Sequence, residues 1–162
     1  MSTKTEQYVI GYYELAKKAG ERFGLDPIII LSQGAFESAW GTSSLSQKHN
    51  NFFGITAAGK TNEFWKGTSV KANPKYNLVF RTYATAQDSF YDFARLISTS
   101  YKPAKAAGAD YKLYAQRISQ SPYISEKNGD DRKVYMNGII SIYENILSIA
   151  KKKVFSQNPP LA

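Results

Sequence analysis

Glu37 is the residue of this chain that is best placed for proton transfer. It is the only charged side chain between Pro27 and Gly41, in a segment that starts with four consecutive aliphatic residues, Ile28 to Leu31. Such a segment predicts a buried helix. Burial and the negative end of the helix dipole both penalise an ionised carboxylate in the last turn, so both favour the neutral acid. A carboxylic acid that stays protonated near neutral pH can act as a general acid. The alternative is a carboxylate that faces solvent or pairs with an arginine.

The helix that carries Glu37 has start and stop signals at both ends. Asp26 is a favourable N-cap, Pro27 suits the first helical position, and Gly41 suits the residue just past the end. These signals predict a helix of about four turns. Apolar residues at helical spacing between Glu6 and Phe23 predict an amphipathic helix that packs against it.

The rest of the chain predicts a mainly α domain with a small β lobe. After a loop that follows Gly41, residues 50–83 contain two candidate strands, Phe52–Ile55 and Leu78–Tyr83. Capping residues then predict three helices, which begin near Thr85, Asp110 and Asp131, with an extended segment from Ser121 to Glu126 before the last one. We expect a single domain over residues 1–153 and a loose tail over residues 154–162.

Composition excludes several classes of protein and site. The chain has 162 residues, no cysteine and one histidine, His49, so disulfides and thiolate metal sites are excluded and we expect no metal. It has no phosphate-binding loop or nucleotide-binding pattern, and we expect no cofactor. No apolar run is long enough to span a membrane, and no export signal is visible. The net charge of +8 favours an anionic partner such as nucleic acid, acidic lipid or the bacterial wall.

Several motifs occur in one order along most of the chain. They are Glu37-Ser38-Ala39-Trp40-Gly41, Asn50-Asn51-Phe52-Phe53-Gly54-Ile55, Trp65-Lys66-Gly67 and Phe80-Arg81-Thr82-Tyr83, followed by Asp88, Ser89 and Asp92. With this order and spacing, the chain from about Asp26 to Ile146 resembles the glucosaminidase family of peptidoglycan hydrolases. The resemblance implies a lysozyme-like helical body and a small β lobe, with a substrate cleft between them. It also implies that Glu37 is the general acid.

The second catalytic group departs from the family pattern. Glycosidases usually use a second carboxylate, and the resemblance places it on the β lobe between Trp-x-Gly and Phe-Arg-x-Tyr. Residues 68–79 contain no acidic residue, and Glu63 is the only carboxylate between positions 50 and 83. Three mechanisms remain open: Glu63 or a helical aspartate activates water, the substrate's acetamido group attacks, or Glu37 alone acts as acid and then base in a lyase-like reaction.

The resemblance also implies residues that contact the substrate. Tyr123 matches the tyrosine of the family's Tyr-Ala-Thr-Asp piece, where it would orient water or the acetamido group; a structural aromatic is the alternative. The candidate residues of the sugar groove are Trp40, Asn51, Phe53, Trp65, Tyr83 and Asp92. Trp40 is also a candidate for the core, and Asp92 is also explained as an early-turn charge on its helix.

The function expected from the resemblance is that of an endo-β-N-acetylglucosaminidase acting on peptidoglycan glycan strands in the cell wall, in the periplasm or outside the cell. The alternatives are a lytic transglycosylase or muramidase that uses the same Glu37, and a peptidoglycan-binding module without catalysis. A nucleic-acid binder is disfavoured because no base-reading motif occurs. We expect a monomer whose further partner is a cognate immunity or inhibitor protein. The setting stays open between an autolysin, a phage endolysin and an antibacterial effector.

Overall fold

The computed structural model describes residues 2–73 and 75–156. In these residues, helices surround a core to which a two-stranded antiparallel hairpin is attached. The elements are α1 (Lys4–Phe23), α2 (Pro27–Ser38), α3 (Ser44–His49), β1 (Ser69–Asn73), β2 (Leu78–Arg81), α4 (Ala86–Ser100), α5 (Lys102–Lys105), α6 (Tyr111–Ser119), a 3₁₀ turn (Glu126–Asn128), α7 (Arg132–Ala150) and a π-helical turn (Lys151–Phe155). The predicted fold class, mainly α with a small β lobe, is confirmed.

Helix α2 lies at the centre of the helical body and packs against both α1 and α7. The Asp26 carboxylate accepts a hydrogen bond from the Ile28 amide at 2.8 Å, and Pro27 occupies the first turn, as predicted. All residues from Ile28 to Ala35 are buried. Other residues therefore cover the apolar side chains on every side of the helix, which confirms the prediction of a buried helix.

The end of α2 differs from the prediction. The helix ends at Ser38 after 12 residues, and Ala39, Trp40 and Gly41 all have positive φ angles, of 50°, 59° and 75°. Ser38 explains this early stop, because its hydroxyl accepts a hydrogen bond from the Gly41 amide at 2.8 Å and so stabilises the turn. Glu37 consequently lies one residue from the end of the helix.

The β lobe contains one predicted strand and lacks the other. β2 pairs with β1 with Val70 opposite Phe80, but it ends at Arg81 instead of Tyr83. The predicted strand Phe52–Ile55 is wrong, and an irregular segment takes its place. Asn51 is the reason, because its side-chain oxygen accepts hydrogen bonds from the amides of Phe53 and Ile55 and replaces a strand partner.

The remaining elements follow their capping residues. Thr85, Asp110 and Asp131 each accept a hydrogen bond from a backbone amide three residues later, as the N-caps of α4, α6 and α7. The segment before α7 forms turns and a 3₁₀ turn instead of the predicted extended chain, and residues 44–49 form α3 instead of a loop. Among the described residues, no helix is long and apolar enough to cross a membrane.

The predicted C-terminal tail is partly ordered. Val154 and Phe155 pack against the core, and the Phe155 ring meets Tyr13 edge-on with ring centroids 5.5 Å apart. Lys153, just before them, pairs with Glu6 of α1 at 3.5 Å. The prediction of a loose tail is therefore wrong for residues 154 and 155, and residues 157–162 lie outside the described part of the chain.

Candidate active site

Glu37 lies at the wall of a cleft of about 450 Å³ between the β lobe and the helical body. One group of lining residues comes from α3 and the β lobe, and the other from α4, its C-cap and the loop before α7. They are Leu45, Phe53, Gly54, Ile55, Thr56, Leu78 and Phe80 in the first group, and Leu96, Tyr101, Pro122, Tyr123, Ile124, Ser125, Asn128 and Asp130 in the second. The cleft lies between the two parts of the protein, as the family resemblance implies.

The environment of Glu37 favours the protonated acid. Burial raises the pKa of its carboxyl from 4.5 to about 7, the negative charge of Asp130 also raises it, and a hydrogen bond from Tyr135 acts in the opposite direction. Among the described residues, no Lys or Arg side chain forms an ion pair with Glu37. The environment thus agrees with a protonated, neutral Glu37 and not with a carboxylate that is paired with an arginine.

A buried polar chain beneath Glu37 orients Tyr135. The side-chain nitrogen of Gln33 donates to the Tyr135 hydroxyl at 3.0 Å, and the hydroxyl of Tyr114 donates to the Gln33 oxygen. Since the Tyr135 oxygen already accepts from Gln33, its own proton is available to Glu37. Sequence reasoning missed this chain. Its signal was Gln33, a polar residue one helical turn before Glu37 in a buried helix.

Tyr123 lines the same cleft as Glu37. Its hydroxyl donates to the Phe53 carbonyl oxygen at 3.3 Å, and its ring meets Tyr101 edge-on at 5.5 Å between centroids. Burial raises the pKa of Tyr123 well above 10, and the charge of Glu37 raises it further, so the phenol stays protonated. The fold therefore places Tyr123 in the same cleft as Glu37, with a protonated hydroxyl that can donate a hydrogen bond.

The loop of residues 125–130 brings a second carboxylate, Asp130, into the cleft. Its oxygen Oδ2 accepts a hydrogen bond from the Ser125 amide at 3.3 Å. The hydroxyl of Tyr76, near the tip of the β hairpin, lies against Gly129 so closely that a Cβ there would be 2.5 Å from it. The hairpin and this loop, which both line the cleft, therefore touch at this point. Sequence reasoning missed Asp130, because its neighbour Asp131 already explains an acidic residue before α7 as the N-cap.

Asp92 does not lie in the cleft. Its fully buried carboxylate accepts hydrogen bonds from Arg81 at 2.8 Å, Arg95 at 2.9 Å, Tyr83 at 2.5 Å and Asn62 at 2.9 Å. The bonds from Arg81, Tyr83 and Asn62 join α4 to the β lobe, whereas Arg95 belongs to α4 itself. The structure thus gives Asp92 and Tyr83 a structural position in place of the predicted substrate contact, because four side chains already surround the carboxylate.

Three other candidates of the sugar groove also have structural surroundings. Trp65 is buried under the guanidinium of Arg81, which lies 4.0 Å from the centroid of its ring, and Asn51 uses its amide within the β lobe. Trp40 packs edge-on against Tyr8 and lines a different groove. Phe53 does line the cleft, although its ring is nearly buried by stacking on Phe93.

Glu63 is on the surface of the β lobe and outside the lining of the cleft. It forms an ion pair with Arg22 of α1 at 2.5 Å, which lowers the pKa of its carboxyl, and 63% of its side chain is exposed. Asn62, next to it, is held by Asp92, so the loop is fixed against the helices. This position does not suit the predicted second catalytic carboxylate. The described residues also contain no group of three or more His, Cys, Asp or Glu side chains that would hold a metal ion.

Comparisons with known proteins agree with this architecture. A family model described as mannosyl-glycoprotein endo-beta-N-acetylglucosaminidase matches residues 13–148. The chain is 26% identical over 141 residues to the peptidoglycan hydrolase FlgJ of Pseudomonas aeruginosa, covering 78% of this chain and 34% of the relative. It is 30% identical over 138 residues to the exo-glucosaminidase LytG of Bacillus subtilis, covering 76% and 46%.

The fold has a solved counterpart. The catalytic domain of the autolysin Auto from Listeria monocytogenes superposes with a TM-score of 0.68 and 23% identity, covering 92% of this chain and 89% of that chain. In contrast, this chain spans about a third to a half of the length of the two curated relatives.

Proposed function

The chain belongs to the glucosaminidase family, and from this premise we propose that it is a glycoside hydrolase that cleaves peptidoglycan glycan strands at N-acetylglucosamine. Glu37 is the general acid that protonates the departing glycosidic oxygen. The endo mode of cleavage, the N-acetylglucosamine specificity and the role of Glu37 are parts of this proposal.

One observation carries the proposal: the cleft contains a carboxyl group whose pKa is raised to about 7. A glycosidic oxygen is a poor leaving group unless it is protonated as the bond breaks. Glu37 holds a proton at neutral pH because burial disfavours its anion, and it can give that proton up because the shift is not larger. Tyr135 supports the carboxylate once the proton has left, since its hydrogen bond favours the ionised form.

The shape and charge of the protein suit a glycan substrate. Aromatic rings of Phe80, Tyr101 and Tyr123 line the cleft and offer apolar faces to sugar rings. The net charge of +8 favours association with the anionic bacterial wall. We therefore place the site of action at the cell wall, in the periplasm or outside the cell. A monomeric state and a cognate immunity or inhibitor protein remain predictions.

Tyr123 is the second residue of the proposed machinery. Its protonated hydroxyl lies in the cleft and already donates to a carbonyl oxygen, that of Phe53. In the complex with substrate, the same hydroxyl can bind the attacking water or the acetamido oxygen. We propose that it positions one of these groups, while Phe53 forms part of the cleft floor.

The experiment that tests the proposal is product analysis by mass spectrometry after incubation of purified sacculi with the protein. We expect fragments with N-acetylglucosamine at the reducing end from the wild type, and none above background from Glu37→Gln. Reducing N-acetylmuramic acid would assign a muramidase instead, and 1,6-anhydro ends would assign a lytic transglycosylase. Binding to sacculi without any released fragment would assign a non-catalytic module and contradict the proposal.

A further inference from the structure

The proposed reaction needs a group that helps water attack the sugar from the face opposite to the leaving oxygen. Most glycosidases use a second carboxylate for this step. The β lobe supplies none in the described residues, because its acidic side chain, Glu63, is paired with Arg22 outside the cleft lining. The buried Asp92 is enclosed by its own partners. The second carboxylate therefore has to come from another element.

Asp130 has the position and the freedom that this role needs. Among the described residues that line the cleft, Glu37 and Asp130 are the two with carboxyl side chains. Asp130 is exposed to the solvent of the cleft, and no Lys or Arg side chain in the described residues forms an ion pair with it. Its negative charge acts on the Glu37 carboxyl. The two groups therefore share one electrostatic environment.

The loop that carries Asp130 is held in place at both ends. Nη1 of Arg132 donates to the carbonyl oxygens of Ser119 and Ser121 at 2.8 Å, and Nη2 donates to that of Ile124 at 3.1 Å. At the other end, Gly129 lies against the Tyr76 hydroxyl of the β hairpin. A loop fixed by backbone contacts of this kind can hold a catalytic side chain with little loss of entropy.

Two features distinguish Asp130 from its acidic neighbours. Glu126 is also on this loop, but its carboxylate pairs with Arg132 at 2.6 Å and is not part of the cleft lining. Asp131 caps α7 through the Val134 amide at 3.0 Å. Of these three acidic residues, Asp130 is thus the one whose carboxylate neither pairs with a cation nor caps a helix.

We propose that Asp130 is the second catalytic carboxylate of this enzyme and acts as the general base of an inverting hydrolysis. This inference rests on the proposed function and extends it. Asp130 takes a proton from a water molecule, and the water oxygen forms a bond to the anomeric carbon. The bond from that carbon to the glycosidic oxygen breaks, and Glu37 gives its proton to this oxygen. Solvent then returns a proton to Glu37 and removes one from Asp130, so the cycle is balanced.

The test compares Asp130→Asn with two reference variants on isolated glycan strands. Asp130→Asn removes the charge and keeps the size of the side chain. Glu126→Gln removes the same charge from the same loop and is the matched control, and Glu37→Gln reports on the proposed function. Circular dichroism and thermal unfolding of each variant establish that it folds.

We expect a loss of kcat of about 10²- to 10⁴-fold in Asp130→Asn, the range typical of general acid–base groups, and near wild-type kcat in Glu126→Gln. Added azide, which needs no deprotonation, should restore turnover of Asp130→Asn and yield the α-glycosyl azide. Nuclear magnetic resonance of the wild-type reaction should show the α-anomer of N-acetylglucosamine as the first product, which is the inverted configuration.

Three results would overturn the role of Asp130: near wild-type kcat in Asp130→Asn, no glycosyl azide from that variant, or the β-anomer as the first wild-type product. If any of these occurs while Glu37→Gln is inactive, the proposed function stands and only the assignment of Asp130 fails. If the wild type releases no fragments, or Glu37→Gln remains active, the proposed function fails and the assignment of Asp130 fails with it.

Discussion

Gly54 lies against the carboxylate of Glu37, so that a Cβ atom at position 54 would be 3.3 Å from Oε2. Its φ angle is +64°, a conformation that other residues rarely adopt. Two separate requirements therefore meet at this glycine. The chain has to turn there, and no side chain can stand between the β lobe and the acid.

Replacing Gly54 by alanine should reduce activity by more than its effect on stability explains. The left-handed conformation costs a residue with a Cβ about 1–2 kcal/mol, and the new methyl group also crowds the Glu37 carboxyl. We expect a clear fall in kcat/KM on glycan strands at a temperature at which the variant is fully folded. Urea unfolding and steady-state kinetics measure the two effects.

Gly108→Ala is the matched control for this variant. Gly108 has a φ angle of +61°, and a Cβ there would have no atom within 4 Å. We expect a similar loss of stability and no change in kcat/KM. Equal loss of activity in both variants would show that the crowding of Glu37 is not important.

The pH dependence of the enzyme should report the ionisation of Glu37. The general acid has to be protonated, and its pKa is raised to about 7 by burial and by the charge of Asp130. We therefore expect kcat/KM to fall tenfold per pH unit above a pH of about 7. A ¹³C titration of the Glu37 carboxyl would check the assignment, and a midpoint below pH 5.5 would contradict it.

Glu37→Gln should be more stable than the wild type at alkaline pH. The raised pKa means that the folded protein binds a proton between pH 4.5 and about 7 that the unfolded chain has lost, so wild-type stability falls as pH rises through this window. The neutral glutamine avoids this loss. We expect a stability advantage of about 1–3 kcal/mol at pH 8 that shrinks towards pH 4.5, measured by urea unfolding. An advantage that does not change with pH would contradict this interpretation.

Asp92→Asn should destabilise the fold. The change removes a buried charge that is bound to Arg81 and Arg95, and it leaves both guanidinium groups without their carboxylate partner. Loss of one partner of a buried ion pair typically costs about 3–5 kcal/mol. Chemical unfolding should show a loss in this range, whereas Asp88→Asn, which changes a charge in the first turn of the same helix, should cost less than about 1 kcal/mol. Similar values for both variants would refute the structural role of Asp92.

Glu63→Gln should leave the activity unchanged. Its carboxylate pairs with Arg22 on the surface and does not line the cleft. The kinetic constants on glycan strands, measured at low and at high salt, should match those of the wild type. A loss of kcat comparable with that of Glu37→Gln would instead make Glu63 the second catalytic group.

Local sequence signals predicted most of the helical framework. Asp26, Thr85, Asp110 and Asp131 are N-caps, and each cap depends on residues two or three positions away. The predicted strand at Phe52–Ile55 failed because the Asn51 side chain bonds the backbone amides that a strand would use. The predicted end of α2 failed for a similar reason, since Ser38 stops the helix before Gly41.

The sequence by itself determined the buried helix and the acidic residue near its end, because apolar composition and capping act over a few neighbouring positions. Only the tertiary structure decided which groups surround that acid. Asp130 and Tyr135 follow Glu37 by 93 and 98 residues, and they meet it because α7 packs against α2. Other long-range contacts buried Asp92 between α4 and the β lobe, buried Trp65 and Asn51 within the β lobe, and left Glu63 on its surface. Burial and charge pairing depend on such contacts between distant segments, and these set the pKa and the accessibility of each side chain.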